Sequence, residues 1–365
     1  MFHHVDFDDH EQVVFARDVG AGLRAIVAVH STVCGPAFGG CRMWPYESDD
    51  EALADALRLS RGMTRKATIC GLPYGGGKSV VIGDPKRAKT RALLLAMARV
   101  VERLGGRYIV ADDIGTTLED LRVMRAATAH TAAATMAAGQ PLAVTAYGVF
   151  QALCAAVEHG LGRRDLAGLR VAVQGLGNVG MPLCGHLHAA GTELVVTDLD
   201  AGRVAAAARA FEARPVALEA IYAQPVDVVA PCALGAILND RTIPQLRARI
   251  VCGGANNQLA EARHDAALAA RGILFVPDYI ANAGGVIDFH QERIGDDSPD
   301  AVLAAVARLR DITADVLARA ASAGTTPLRI ADGIVLERLA RRRRAAGAGP
   351  RAQRRAIRGP GGPPK

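Results

Sequence analysis

The segment that most narrows the fold is Gly175-Leu176-Gly177-Asn178-Val179-Gly180. A lone G-x-G-x-x-G carries little weight. Here it follows an apolar run, Leu169 to Gln174, and opens a stretch with apolar residues at helical spacing through Leu183 and Leu187. A second β-rich run, Leu194 to Thr197, then ends at Asp198. Strand, glycine turn, helix, strand and acid in that order form the fingerprint of a dinucleotide-binding unit. The first glycine permits the turn, the second lets backbone approach a pyrophosphate, and the third lets helix pack closely on strand. The free N–H groups and positive dipole end of the helix would face the phosphates. Asp198 would accept hydrogen bonds from the adenosine ribose and repel a 2′-phosphate, so NAD is expected over NADP. The six turn residues and Asp198 are the candidate cofactor contacts.

The surrounding pattern extends this unit. A helix is expected over 144–160, and the runs VDVVAPC, IVCGGA and ILFV follow with helical stretches between them. Alternating buried strands and helices imply a parallel, doubly wound sheet. Upstream the pattern differs. Residues 12–33 read as a hairpin about a Gly turn, 49–65 and 88–104 as helices, and 107–111 as a strand ending at Asp112 and Asp113. At 365 residues the chain exceeds one ordinary core. The expected fold class is therefore α/β with two domains separated by a cleft. Residues 1–140 would form an N-terminal α/β catalytic and oligomerisation domain, rejoined by a C-terminal helix near 325–340. Residues 141–324 would form a Rossmann NAD-binding domain.

The net charge of +6 is misleading. Residues 341–365 hold eight Arg and one Lys with no acid, which leaves 34 basic against 37 acidic side chains in residues 1–340. The Gly/Pro-rich tail is expected to be disordered. A basic tail can bind nucleic acid through counterion release, but a solvated extension is the stronger reading, and the body has no basic stripe. No apolar run is long enough for a membrane span, and the acidic start is unlike a secretory signal. Seven cysteines without a C-x-x-C pair read as reduced thiols of a cytoplasmic protein. No metal site is expected: His186 and His188 would lie on different helix faces.

The run GLPYGGGKS at 71–79 resembles a phosphate-binding loop, but Leu72 stands where its first glycine is required. A different chemistry suits it. Glycines crowding Lys78 would bury the amine, and burial favours the neutral form that a general base needs. Lys66 is a natural anchor for a substrate carboxylate. Asp113 falls at a strand end, where reactive side chains gather. Nothing in the sequence alone brings these three together.

At these residues the chain resembles the leucine, valine and phenylalanine dehydrogenases, relatives of glutamate dehydrogenase. The matching stretches are GPAFGGCRMWPY (35–46), ALRLSRGMTRKA (56–67), GGGKSVVIGDP (75–85), DDIGTT (112–117), VTAYGV (144–149), VQGLGNVG (173–180), APCALGAILN (230–239), GGANNQLA (253–260) and PDYIANAGGVID (277–288). They run in order from about residue 10 to 340. The resemblance is greatest to leucine dehydrogenase. It implies NAD-dependent oxidative deamination of an apolar L-amino acid to the 2-oxo acid and ammonia, with leucine, valine and isoleucine favoured and phenylalanine the alternative. It makes Lys78 the catalytic base, Asp113 the proton shuttle at the substrate amine and Lys66 the carboxylate anchor. Gly39, Gly40 and Met63 would approach the substrate. Phe38, Ala111, Val286 and Phe289 would line the side-chain pocket. Thr145 and Asn257 would sit by the nicotinamide, Asn257 also reaching the substrate amine, and Cys232 and Ala233 would line the cofactor cleft. A homo-oligomer is implied. Three features depart from the family: the short Ala-rich stretch 130–143, Phe289 and His290 after NAGGVID where relatives often carry small or aliphatic residues, and the arginine-rich tail. A non-catalytic NAD-binding regulator with a nucleic-acid-binding tail is the alternative of another class.

Overall fold

The structure, a computed structural model, describes residues 2–132, 144–233 and 235–348. The hinge departure expected at 130–143 falls almost wholly outside the described residues. Strands β1 (Gln12–Asp18) and β2 (Leu23–Ser31) form the expected hairpin, with Gln12 opposite Val29 and Asp18 opposite Leu23. Strand β3 (Ala37–Trp44) leads to helix α1 (Asp49–Ile69), followed by β4 (Gly75–Ile82), α2 (Arg91–Glu102), β5 (Tyr108–Asp112) and α3 (Leu118–Met124). The first sheet has the order β1-β2-β4-β3-β5. Its β2 pairs are antiparallel, whereas β3 runs parallel to both β4 and β5.

Helix α1 is capped by Ser48, whose side chain accepts from the Glu51 N–H, and its first turn carries Asp49, Asp50 and Glu51 against the dipole. It continues past the expected end at residue 65. Lys66 therefore sits in its last turn rather than beyond it. The glycine run also differs from expectation. Gly75, Gly76 and Gly77 belong to a central strand, not to a turn. Glycine is ordinarily poor in a strand, but here neighbours press on the backbone. A Cβ on Gly77 would lie 2.6 Å from the Tyr108 ring.

The second unit comprises α4 (Val144–Leu161), β6 (Arg170–Gln174), α5 (Gly180–Ala189), β7 (Glu193–Thr197), α6 (Ala201–Phe211), β8 (Arg214–Pro215), β9 (Val228–Pro231), β10 (Ile250–Val251), α7 (Arg263–Ala270) and β11 (Leu274–Phe275). Its six strands are all parallel, in the order β11-β10-β9-β6-β7-β8. The chain winds outward through β7 and β8, then crosses to β9 on the other side of β6. The C-terminal ends of β6 and β9 thus flank the switch point at which such sheets bind ligands.

Five helices follow among the described residues: α8 (Asp278–Ala281), α9 (Gly284–Ile294), α10 (Pro299–Ala307), α11 (Leu309–Ala323) and a long α12 (Pro327–Ala348). Helices α10 and α11 are separated by Arg308 alone. Helix α12 lies back on α1 through a cluster that includes Ile69, Tyr279, Val335 and Leu339. It carries helical structure past residue 340 into the arginine run, correcting the expectation that the whole tail from 341 is disordered. Residues 349–365 lie outside the described residues. Among the described residues no helix is long and apolar enough to cross a membrane.

Candidate active site

Parallel pairing of β3 between β4 and β5 assembles the first group of side chains. Cys41 stands opposite Ser79 on one side and Asp112 on the other. Lys78 and Asp113 are thereby brought to either flank of Gly40. A Cβ on Gly40 would lie 2.7 Å from the Asp113 Cβ and 3.1 Å from the Lys78 Nζ, so only glycine leaves this approach open.

Lys78 is buried, and its ammonium donates to Asp113 Oδ2 at 2.8 Å. A second cation meets the same oxygen. Arg42 Nε donates to Asp113 Oδ2 at 2.8 Å while its Nη1 reaches Asp55 Oδ2 at 2.8 Å. Asp55 is held in turn by the Tyr46 hydroxyl, at 2.6 Å. Burial alone would raise the Asp113 carboxyl, but the charges and hydrogen bonds of Lys78 and Arg42 hold it well below the usual carboxylate range. Both cations bond Oδ2, and among the described residues Oδ1 accepts no hydrogen bond. It is the oxygen left for an incoming N–H.

Lys66 projects from the end of α1 into a cavity of about 630 Å³ whose walls include Met63, Lys78, Asn256 and Asn257. Burial pulls its ammonium down to about 8, an effect opposed by Asp278 and reinforced by the charge of Lys78. A buried amine that remains cationic at neutral pH, with the Asn256 Oδ1 at 3.4 Å as its one acceptor among the described residues, is suited to an anion. Asn256 is fixed from behind by the Asn282 amide, at 2.9 Å. Asn257 is held at φ +49°, a left-handed conformation that asparagine tolerates. Gly39 lies against Met63, and its carbonyl accepts from the buried Tyr108 hydroxyl at 2.7 Å.

The expected side-chain pocket is a separate cluster. Phe38, Val286 and Phe289 are buried in one core with Ala111 at its edge, and none of the four lines the cavity that holds Lys66 and Lys78. Phe289 also touches Tyr74, whose hydroxyl meets His290 Nδ1 at 3.2 Å.

Across the cleft, the glycine turn follows β6. Gly175 has φ +92°, and a Cβ there would lie 2.8 Å from the Ala233 nitrogen. Gly180 abuts Cys232. Cys232 and Ala233 follow β9, so both sides of the switch point are accounted for. No side chain caps the start of α5, which leaves its first N–H groups for a ligand. Leu176 is buried, while Asn178 is exposed at the turn. Asp198 Oδ2 accepts from the Leu176 N–H at 2.5 Å, and Oδ1 from the Asp200 N–H at 2.8 Å. The uncapped helix and side-chain-free turn fit the pyrophosphate of a dinucleotide. Thr145 stands at the start of α4 beside Gly284 and Gly285, facing the other wall.

Sequence reasoning missed Arg42, Asp55, Asn256 and Asn282. Arg42, Asn256 and Asn282 lie within the quoted motifs, but nothing in a motif says which carboxylate an arginine will reach across a sheet. Among the described residues one group carries the donors of a metal site. Asp240, Glu261 and His264 are near neighbours, but Arg263 already bonds both carboxylates.

A family model described as Glu/Leu/Phe/Val dehydrogenase, dimerisation domain, matches residues 10–130. A second, described as Glutamate/Leucine/Phenylalanine/Valine dehydrogenase, matches residues 196–347. The leucine dehydrogenase of Bacillus subtilis is 47% identical over 298 residues, 81% of this chain and 82% of its own. The valine dehydrogenase of Streptomyces albus is 43% identical over 350 residues, 93% of this chain and 95% of its own. Among solved structures, L-tryptophan dehydrogenase from Nostoc punctiforme superposes with a TM-score of 0.76 at 41% identity, covering 92% of this chain and 97% of its own.

Proposed function

The chain belongs to the Glu/Leu/Phe/Val dehydrogenase family and is an amino acid dehydrogenase, and from that premise we propose that it uses NAD to deaminate leucine first, with valine and isoleucine as further substrates. The reverse reaction aminates the 2-oxo acid. The observation that carries this reading is the Lys78–Asp113 pair at 2.8 Å, with Lys78 and Lys66 lining one cavity. A protein that only bound a dinucleotide would have no use for two buried lysines and a half-buried carboxylate bonded to one of them, and the regulator alternative is set aside.

Each residue has a role in the proposed reaction. Lys66 receives the substrate carboxylate. Gly39 and Gly40 let the substrate Cα approach the sheet. Asp113 accepts the amine N–H through Oδ1 and moves its proton. Lys78 takes a proton from the water that attacks the imino carbon. A dinucleotide whose pyrophosphate is held at the glycine turn would supply the hydride acceptor for the substrate Cα. Thr145 and Asn257 orient the reacting end, Cys232 and Ala233 form its wall, and Asp198 receives the adenosine ribose.

Substrate choice follows from the Phe38–Phe289 cluster. It leaves no basic group for a second carboxylate, and burying one unpaired is heavily penalised, so glutamate is a poor substrate. A substrate side chain directed from Gly39 and Gly40 toward these rings would meet apolar surface, which suits a short branched chain. The likeness to a tryptophan dehydrogenase structure supports an aromatic second reading, in which the same rings stack on the substrate. The match of a dimerisation-domain model to residues 10–130 supports a homo-oligomer.

The test is an initial-rate panel with NAD, following reduced-nicotinamide absorbance for leucine, valine, isoleucine, phenylalanine, tryptophan and glutamate. The highest kcat/KM is expected with leucine. A higher value for phenylalanine or tryptophan reverses the order, and one highest for glutamate overturns the pocket argument.

A further inference from the structure

We propose that Arg42 is a positioning residue for the proton transfers: anchored by Asp55, it holds Asp113 in place and ionised at rest, ready for the amine proton, while Lys78 gives up and regains its own. The inference rests on the proposed deamination chemistry and deepens it.

A base paired with a carboxylate has a difficulty. The bond from Lys78 to Asp113 Oδ2 stabilises the ammonium, the form that cannot act as a base. When Lys78 turns neutral, Asp113 loses its counter-charge in a buried site, and the released proton is drawn to the carboxylate instead. A second, permanent cation removes that difficulty. Guanidinium does not deprotonate in proteins, and Arg42 is bonded to the same oxygen as Lys78 at the same 2.8 Å. Its planar fork is needed because it must reach two carboxylates at once, Nε on Asp113 and Nη1 on Asp55. Asp55, steadied by Tyr46, stops Arg42 from turning fully toward Asp113.

Other ionisable groups act on this centre from every neighbouring element. Cys41 lies on β3, Asp112 and Tyr108 on β5, and Lys66 and Asp55 on α1, with Tyr46 just before that helix. Burial pushes the Cys41 thiol up to about 11. Burial also raises the Tyr108 and Tyr46 hydroxyls, so all three are neutral in the working range. Asp112 is raised by burial, and its charge opposes rather than replaces that of Arg42. Lys66 and Arg42 are the further cations of this centre among the described residues, and of the two it is Arg42 that bonds Asp113.

The test is the pH profile of kcat/KM for leucine with NAD, in wild type, Arg42→Gln, Arg42→Lys and Asp55→Asn, alongside NAD binding and thermal melting. The acid limb belongs to the Lys78–Asp113 pair as a unit. Removing the cation favours the proton-richer state of the pair. Arg42→Gln is therefore expected to move the limb to higher pH by about one unit or more and to lower kcat near neutrality about tenfold. Arg42→Lys keeps the charge but not the fork, so the limb stays near wild type while kcat falls. Asp55→Asn keeps the guanidinium but loosens it, with the same result, and it remains informative if Arg42→Gln does not fold. An unmoved limb in Arg42→Gln, with the loss confined to KM or melting temperature, overturns the proposal. So does a wild-type kcat in Asp55→Asn. A wild-type enzyme that reduces no NAD with any amino acid refutes the deamination reading itself.

Discussion

Phe38 and Phe289 stack face to face, their ring centroids 4.0 Å apart and their planes within 10° of parallel. One ring comes from β3 and the other from α9, so the pair joins the catalytic sheet to the helix that follows the nucleotide-binding strands. Both are buried, with Ala111 at the edge of the same cluster. Replacing Phe289 with Leu makes room in that cluster without the large void that Ala would leave. The phenylalanine-to-leucine ratio of kcat/KM is expected to rise about tenfold, the lower end of what one pocket change achieves. An unchanged ratio in a well-folded variant would show that the stack is core and not pocket wall.

Lys78→Ala separates chemistry from cofactor binding. The residue lies on the first sheet and the glycine turn on the second. Turnover is expected to fall by about 10²–10⁴ or more, the range for losing a general base. NAD affinity, measured by fluorescence titration, should stay near wild type. Comparable losses in both would indicate that Lys78 holds the cleft together and does not act as the base.

The burial of Lys66 gives a second pH effect with a definite sign. Its ammonium titrates at about 8, down from 10.5. Below that pH it is cationic and binds a carboxylate, and above it the anchor is lost. Isocaproate, which has no amine to titrate, should therefore inhibit with an affinity that weakens above about pH 8. The folded state binds this proton less tightly than the unfolded one, so Lys66 adds stability as pH rises from about 8 toward 10.5. Lys66→Met should lower kcat/KM by about 10²-fold or more and leave melting at neutral pH unchanged or higher. A melting temperature well below wild type would mean that the lysine is structural.

Asp198 accepts the Leu176 N–H and stands beside the turn that would hold the phosphates. Asp198→Asn keeps an acceptor for that bond and removes the charge. Relative use of NADP is expected to rise about tenfold, with a smaller loss for NAD. Arg203, which leans toward Asp200 at 3.7 Å, is the nearby cation that could receive the extra phosphate. Equal rates with both cofactors in the wild type would remove Asp198 as the discriminator.

The nucleotide-binding half was legible because its signals are local. Gly175, Gly177, Gly180 and Asp198 are fixed by one strand–turn–helix–strand unit, and the apolar runs around them have the period of the elements they form. The catalytic half depends on pairing between distant strands. Lys78 and Asp113 meet because β3 runs between β4 and β5, an order that no periodicity specifies. Arg42 was invisible for the same reason, since its two carboxylate partners lie on other elements. The glycine run misled in a different way. Its composition reads as a turn, but it is a strand whose side-chain space is taken by Tyr108, a contact known only once the sheet is assembled. The end of α12 misled because Gly and Pro farther along dominated the tail's composition, whereas Arg341 to Arg344 and the alanines after them suit a helix.

That helix also bears on the site. Arg338 Nη1 donates to the carbonyls of Thr68 and Ile69, at 2.9 and 2.7 Å. These are among the last carbonyls of α1, which have no partner within their own helix, and a cation there also suits the helix dipole. The same helix end carries Lys66. Arg338→Ala should cost about 1–3 kcal/mol, the range for hydrogen bonds to a charged group, seen as a lower denaturation midpoint. It should also raise KM for leucine more than it lowers kcat, because a frayed helix end displaces the carboxylate anchor and not the Lys78–Asp113 pair. A chain ending at Ala340 keeps Arg338 and Leu339 and should match the full-length protein in both measurements. If that truncation lowers the midpoint as far as Arg338→Ala does, the contribution comes from the arginine run beyond 340 and not from the cap on α1.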